Sequence, residues 1–470
     1  MSSTFRALET TGNYGGDGPA IDSVSRAKPA AWSRDEGQSQ IYKTFHHILL
    51  LYVFMYVSRI PELVPWLRIG FLLQPLLLVG LFMTGETGVL TRARSTRWLI
   101  AFTVWVAICV PFSFWPGGSF ATLVKTAQSL LLVAFVLAFV QSFRDVMRIL
   151  AAVGLASSAI AVMSFVSSAD INNRQGLGGS ASLADPNFYA LYLLVGLAFL
   201  GLTASYSRGF VRFCWFALMP LNLVGILRSG SRAGLVTLLV GLVLFLAFGS
   251  ARQRTVLLSA GLAGVLLAGA FLPSNIKARF IYWFAPSAAD TYLLPGSDTS
   301  ASGDYEAERG LASAQASTEA RMYLLQRSLI LTAKHPILGV GPDQFQSAEA
   351  EDAGLQNVKG AWHYTHNTYT QVSCECGIPG LILFGGALIW AYSGLSRVRR
   401  RGPSKMIRQT AVFIQVAFMM LMVGAFFLSL GYGGLPFLMI AFTEVFKRVA
   451  ARHTRELHLQ RVQPELSAAV

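Results

Sequence analysis

Long apolar stretches separated by short polar connections make up most of this 470-residue chain. An α-helix needs about 20 mostly apolar residues to cross a bilayer core, and twelve stretches fit that template. The pattern therefore predicts an all-α, polytopic integral membrane protein with about 12 transmembrane helices. The twelve stretches are residues 44–60, 66–83, 98–115, 120–141, 146–168, 187–205, 210–228, 233–249, 255–273, 376–395, 409–429 and 432–447.

Polar segments at the two ends and one long polar insertion interrupt this pattern. The first 43 residues are rich in Gly and Ser and lack the apolar core of a signal peptide, which predicts a disordered tail. The insertion follows the ninth apolar stretch. The predicted organisation is a tail (1–43), nine helices (44–273), one large loop (274–372), three helices (373–448) and a second tail (449–470).

Composition and charge agree with a membrane protein and set its orientation. Hydrophobic residues make up 53% of the chain and charged residues 13%, which is too apolar for an ordinary soluble domain. Arginine and lysine concentrate in every second connection, and short basic connections stay in the cytoplasm. Both termini are therefore predicted to be cytoplasmic and the insertion external. This topology accounts for the net charge of +14 without nucleic-acid binding.

A few basic residues lie where the topology does not require them. They are Lys125, Arg174, Arg228, Arg232, Arg321 and Arg327. For any one arginine, interfacial anchoring or pairing with a loop carboxylate is an equal alternative, and Lys125 can simply reach the interface. Guanidinium groups offer paired donors that suit phosphate oxygens. Together these residues predict an anion site at the external face, of a kind that fits a lipid pyrophosphate.

The insertion contains a predicted helix and a turn. Thr318 is expected to cap an amphipathic helix that carries Arg321 and ends at Pro336. The low-complexity residues 297–318 before it are expected to be mobile. The glycines of HPILGVGPDQF (335–345) allow backbone amides to approach a ligand, although a plain helix-ending turn is the alternative.

The segment WHYTHN (362–367) is the best place for proton chemistry. His366 directly precedes an apolar helix, and histidine titrates near neutrality, so it is a candidate to accept a hydroxyl proton. A hydrogen-bonded interface residue is the alternative. Glu375, further along that helix, is costly in a membrane unless it is paired or functional. Asp185 and Pro186 have the pattern of a helix start.

Four motifs together resemble the O-antigen ligase and Wzy-type O-antigen polymerase superfamily. They are ADPNFYA (184–190), SRAG (231–234), an arginine-bearing helix that runs into HPILGVGP, and HNTYTQVSCECGIPGLILF (366–384). The resemblance covers roughly residues 175–445. It implies a GT-C-like inner-membrane glycosyltransferase of bacterial surface polysaccharide assembly. Such enzymes move glycan from undecaprenyl pyrophosphate to another lipid-linked repeat unit or to lipid A-core, with no metal or other cofactor.

The resemblance also implies roles for individual residues. Arg232 and Arg321 are expected to hold the pyrophosphate, and His366 to orient or deprotonate the acceptor hydroxyl, with inversion at the anomeric carbon. The remaining candidates are substrate contacts, namely Arg228, Arg174, Asn367, Lys125 and Glu375. The competing hypothesis is a lipid-linked oligosaccharide flippase or another polytopic transporter, which should gather polar residues near the membrane midplane.

Overall fold

The computed structural model describes residues 36–64, 69–170, 174–250, 254, 276, 277, 280, 301–354 and 363–468, and most of them are helical. The α-helices are α1 (Glu36–Ser58), α2 (Ile60–Leu63), α3 (Ile69–Met83), α4 (Arg94–Cys109), α5 (Pro116–Phe139), α6 (Phe143–Val166), α7 (Pro186–Tyr206), α8 (Gly209–Arg228), α9 (Arg232–Phe248), α10 (Ala301–Lys334), α11 (Phe345–Asp352), α12 (Thr368–Arg401), α13 (Lys405–Gly424) and α14 (Gly434–Ala468). Two 3₁₀ helices, Glu86–Arg92 and Val110–Phe112, flank α4.

Seven helices in the described part of the chain are long and apolar enough to cross a membrane. They are α5, α6, α7, α8, α12, α13 and Arg94–Phe112, which joins α4 to its 3₁₀ helix. Leu72–Met83 and Glu86–Arg92 add an eighth if that pair, bent by 92°, forms one span, and α9 is a shorter apolar helix. The prediction of a helical, polytopic membrane protein is therefore confirmed.

The number of spans stays a prediction. Each predicted apolar stretch overlaps a described helix except the ninth, 255–273, which lies outside the described residues. Residues 1–35 of the predicted disordered tail (1–43) lie outside them as well, whereas residues 36–43 form the start of α1, so the predicted boundary at 43 was wrong. The sidedness of the chain also remains a prediction.

Helix α7 lies at the centre of the bundle and is the most buried of the membrane-crossing candidates, with 78% of its apolar window inside the structure. It packs against α6, α8 and α13. Close approach to its neighbours depends on small residues, since a Cβ at Gly234 of α9 would lie 2.9 Å from the Cβ of Ala190. The first turn of α7 is thus held firmly beside the first turn of α9.

A short antiparallel hairpin, absent from the all-α prediction, joins α6 to α7. Strand β1 (Ser168–Asp170) pairs with β2 (Gln175–Leu177), with Ala169 opposite Gly176. The side chain of Gln175 donates a hydrogen bond from Nε2 to Ser164 Oγ at 3.0 Å, which fixes the hairpin to the end of α6. Arg174 precedes β2 and is positioned by this attachment.

The described part of the insertion packs on the membrane helices. A small apolar cluster joins α10, the following turn, α11 and α12 through Leu324, Leu331, Val340, Phe345, Ala348 and Cys374. Helix α10 ends before Pro336, as predicted. Its predicted start was wrong, because the helix begins at Ala301 and Thr318 lies inside it. Residues 301–318 of the segment expected to be mobile are helical in the structure, and their mobility stays a prediction.

Candidate functional site

The turn HPILGVGPDQF docks against a break in α12. Gly377 interrupts that helix with φ +70°, and the carbonyl groups before the break are left without helical partners. Val340 donates its N–H to Cys374 O at 2.8 Å and Gly341 donates to Glu375 O at 3.0 Å. These two amides therefore donate to α12 and are not available to a ligand. Of the two predicted roles, a structural turn fits them better than contact with a ligand.

Glu375 and Lys125 lie around Asp343 in this turn. The Glu375 side chain is 2% exposed, and its carboxylate accepts hydrogen bonds from the backbone N–H groups of Asp343 at 3.1 Å and Phe345 at 3.4 Å. Burial raises the pKa of Asp343, and the charge of Lys125 opposes that shift. Glu375 thus holds the turn and Lys125 faces its acidic residue, while their predicted contact with substrate stays a prediction.

The loop before α12 is anchored to the connection between α13 and α14. Asn367 caps α12, with its Oδ1 accepting from the backbone N–H groups of Tyr369 at 2.9 Å and Thr370 at 3.2 Å. His366 donates its N–H to Ser429 Oγ at 3.1 Å and takes a left-handed backbone conformation, with φ +51°. The cap confirms the predicted helix start. Together with the hydrogen bond to Ser429, it fixes the backbone from which the His366 side chain extends.

The His366 side chain has the properties of a base. Its Nδ1 is buried and has no hydrogen-bond partner among the described residues. Burial lowers the pKa of this imidazole, the nearby Arg321 lowers it further, and Asp185 opposes the shift. The pKa of His366 therefore lies below its ordinary value, which favours the neutral ring that can accept a proton.

Arg174, Arg232 and Arg321 come together at the end of the bundle where α7, α9 and α12 begin. Burial lowers the pKa of Arg174 to about 10, Asp185 opposes the shift, and Arg321 and Arg232 add to it. Burial also lowers the pKa of Arg321. Asp185 opposes this shift and Arg232 adds to it. Arg174 and Arg321 thus each lie within electrostatic range of Arg232 and of one carboxylate, Asp185, which leaves an excess of positive charge and favours an anion.

Local structure explains how Arg232 reaches this group. Ser231 caps α9 by accepting the N–H of Gly234 at 3.0 Å, which places Arg232 in the first helical turn. The Nη2 of Arg232 donates to Thr318 Oγ1 at 2.9 Å. Since Thr318 and Arg321 are three residues apart on α10, they share one face of that helix. The SRAG motif and the insertion therefore meet directly.

Two of the predicted external arginines have other partners. Arg327 forms ion pairs with Asp352 at 2.5 Å and Glu349 at 3.5 Å, which ties α10 to α11. This is the carboxylate pairing that the sequence left open. The Arg228 guanidinium lies 5.6 Å from the centre of the Phe165 ring. Contact of Arg228 with substrate stays a prediction.

Sequence reasoning missed Asp185 as a member of this group. The carboxylate was assigned to capping, and the structure confirms that Asp185 caps α7. Its charge also acts on Arg174, Arg321 and His366, which lie 11, 136 and 181 positions away in the numbering. The only signal for this role in the sequence was that Asp185 lies in the same loop as Arg174.

Comparison with known families supports the motif reading. Residues 216–385 match the Wzy_C family model, which is described as O-antigen ligase. This range includes Arg232, Arg321 and His366, whereas Arg174 and Asp185 lie before it. The resemblance indicated by the sequence motifs is confirmed. No curated protein matches the chain.

Proposed function

We propose that the protein is an inner-membrane glycosyltransferase of bacterial surface polysaccharide assembly. The match of residues 216–385 to the O-antigen ligase family model supports this proposal. Its donor is a glycan linked to undecaprenyl pyrophosphate. Its acceptor is either lipid A-core or another lipid-linked repeat unit. The observation that carries the proposal is the meeting of Arg174, Arg232 and Arg321 with a neutral His366 at one end of the helix bundle.

The arginine group supplies the electrostatic part of the reaction. When the bond between the anomeric carbon and the pyrophosphate oxygen breaks, negative charge grows on the leaving pyrophosphate. Guanidinium groups fixed before the reaction stabilise that charge most where water is excluded. Arg232 and Arg321 come from α9 and α10, so they approach the pyrophosphate from two elements.

His366 supplies the proton acceptor. The acceptor hydroxyl oxygen attacks the anomeric carbon, its proton passes to the neutral imidazole, and the electron pair of the broken bond leaves with undecaprenyl pyrophosphate. Attack opposite the leaving group inverts the anomeric centre. The lowered pKa of His366 keeps the base form available at neutral pH. No nucleotide sugar or metal takes part in this sequence of steps.

The transporter alternative is less well supported. A transporter should place its polar groups near the midplane, in broken helices that recur in two halves. Here Arg174 and His366 precede α7 and α12, and Arg232 is the first residue of α9. The positive-inside pattern supports a site on the periplasmic side, with both termini in the cytoplasm.

A cellular experiment tests the proposal. His366→Ala and Arg321→Ala are expressed in a deletion strain, with His363→Ala and Lys334→Ala as matched controls on the same loop and helix. The proposal predicts that the first pair accumulates lipid-linked glycan at equal membrane levels, whereas the controls make normal polysaccharide. Normal long-chain polysaccharide in both His366→Ala and Arg321→Ala would refute it.

The same strain separates the two acceptors. If the deletion leaves a product capped with one repeat unit, the missing activity is a polymerase. If full-length glycan remains on undecaprenyl pyrophosphate, the missing activity is a ligase.

A further inference from the structure

The start of α7 is linked to two arginine-bearing segments by one asparagine side chain. Asn187 is 8% exposed and lies in the first turn of α7. Its Oδ1 accepts a hydrogen bond from Arg174 Nη2 at 3.2 Å and one from Ser231 Oγ at 2.7 Å. The loop before β2 and the SRAG turn therefore meet at a single amide oxygen.

Asp185 fixes the orientation of that amide. Its Oδ1 accepts the backbone N–H of Asn187 at 2.6 Å and the side-chain Nδ2 at 3.0 Å. Because Nδ2 is held by Asp185, Oδ1 of Asn187 must point toward Arg174 and Ser231. A side chain used only to start a helix would not need these further contacts.

The two arginines are then placed by their neighbours. Arg174 also donates from Nε to Ser229 O at 3.0 Å, so its guanidinium is held at two points. Ser231 Oγ accepts a hydrogen bond from the N–H of Gly234 and donates one to Oδ1 of Asn187. These two bonds fix Ser231, the residue directly before Arg232. The guanidinium of Arg174 and the backbone directly before Arg232 are thus both restrained.

We propose that Asp185 and Asn187 form a positioning pair for the transfer reaction, in which Asn187 holds Arg174 and the Ser231–Arg232 turn at the pyrophosphate while Asp185 orients Asn187. This inference rests on the function proposed above. It assigns to the DPN sequence a role in the site beyond starting a helix.

The positioning role predicts a loss of rate without a loss of fold. Orientation of catalytic groups contributes strongly to rate, so displacement of two arginines is expected to be costly. Asn187→Ala should lower kcat/KM at least tenfold, measured on purified protein in nanodiscs with lipid-linked glycan extracted from the deletion strain. Ser142→Ala, which removes the N-cap of α6, is the matched control and should stay within twofold of wild type.

Asp185 has its own readout, which is rescue by a conservative variant. Asp185→Ala removes the acceptor that orients Asn187, whereas Asp185→Asn keeps an acceptor for Asn187 and a good helix cap. Asp185→Asn should therefore retain more of the wild-type kcat/KM than Asp185→Ala, and this comparison remains available even if Asn187→Ala fails to fold.

The outcomes separate this inference from the proposed function. If Asn187→Ala stays within twofold of wild type while Arg321→Ala is inactive, the positioning role is wrong and the transfer site stands. Equal losses of kcat/KM in Asp185→Asn and Asp185→Ala would remove the orienting role of Asp185. If Arg321→Ala and His366→Ala are both fully active, the proposed function fails and the positioning pair fails with it.

Discussion

Nη2 of Arg232 donates a hydrogen bond to Oγ1 of Thr318 at 2.9 Å, across 86 residues of sequence. The arginine begins the apolar helix α9 and the threonine belongs to the insertion. This bond therefore joins the two parts of the chain that carry Arg232 and Arg321, so the insertion contributes to the candidate site.

The bond between Arg232 and Thr318 should matter modestly for activity. Arg232 makes further interactions, so loss of this one should be partly compensated. Thr318→Val removes the acceptor at nearly constant shape and should cost about 1 kcal/mol, or roughly fivefold in kcat/KM. Thr318→Ser keeps the hydroxyl and serves as the control. Equal losses in the two variants would show that the hydrogen bond is not what matters.

The transfer rate should fall only when the pH drops below the range in which a histidine usually titrates. His366 must be neutral to accept a proton, and its folded pKa is lowered below 6.5 by burial and by Arg321. Activity should therefore persist until the pH falls through that lowered value. Arg321→Gln removes a charge that disfavours the imidazolium, so its residual activity should have an acid limb at higher pH. A profile of kcat/KM against pH measures both limbs.

The same histidine should make stability depend on pH. Because the folded pKa lies below the unfolded value, the unfolded chain binds more protons as the pH falls. The stabilising contribution is present above about pH 6.5 and is lost as the pH drops through the folded pKa. In detergent, His366→Gln should show a smaller fall in Tm between pH 7 and pH 5 than wild type. Parallel curves would contradict this assignment.

Gly377 should be needed for docking of the 335–345 turn. Its φ of +70° is strained for any residue with a side chain, and a Cβ there would overlap the carbonyl of Ile337. Gly377→Ala should therefore destabilise the fold by about 1–3 kcal/mol. Gly385→Ala on the same helix is the control, since a Cβ there has open space. Thermal unfolding in detergent should separate the two, and similar Tm values would count against the docking role.

Glu375 should act on stability through the same turn. Glu375→Ala leaves the buried N–H groups of Asp343 and Phe345 without their acceptor, at a cost of about 1–3 kcal/mol each. Glu375→Gln keeps one carbonyl oxygen and should be milder. If Glu375→Ala unfolds like wild type but fails to bind lipid-linked glycan, Glu375 is a substrate contact and its structural role is minor.

Local signals in the sequence predicted helix ends well. Asp185 before Pro186 and Pro336 after α10 both mark boundaries found in the structure, whereas Asn367, predicted as a substrate contact, also proved to be the cap of α12. In each case a capping side chain or a missing N–H acts within a few residues. The clustering of Arg232, Arg321 and His366 was also predicted, although through family resemblance and not through spacing.

Features that depend on distant contacts were not predictable in this way. The polar composition of 301–318 favoured mobility, yet α10 continues through it and Arg232 binds Thr318. The break at Gly377 is stabilised by amides from a turn more than 30 residues earlier. Asp185 was identifiable as a cap, but its electrostatic effect on Arg321 and His366 depends on segments that lie more than 100 positions away in the sequence.

Reconstituted transfer tests the central claim most directly. Purified wild type, Arg321→Ala and Lys334→Ala in nanodiscs are given lipid-linked glycan extracted from the deletion strain, and the rate of glycan transfer is measured. The account predicts that Arg321→Ala loses roughly 100-fold in rate, as expected for a group that stabilises charge in the transition state, while Lys334→Ala stays within twofold. Transfer by Arg321→Ala at half the wild-type rate or more would contradict it.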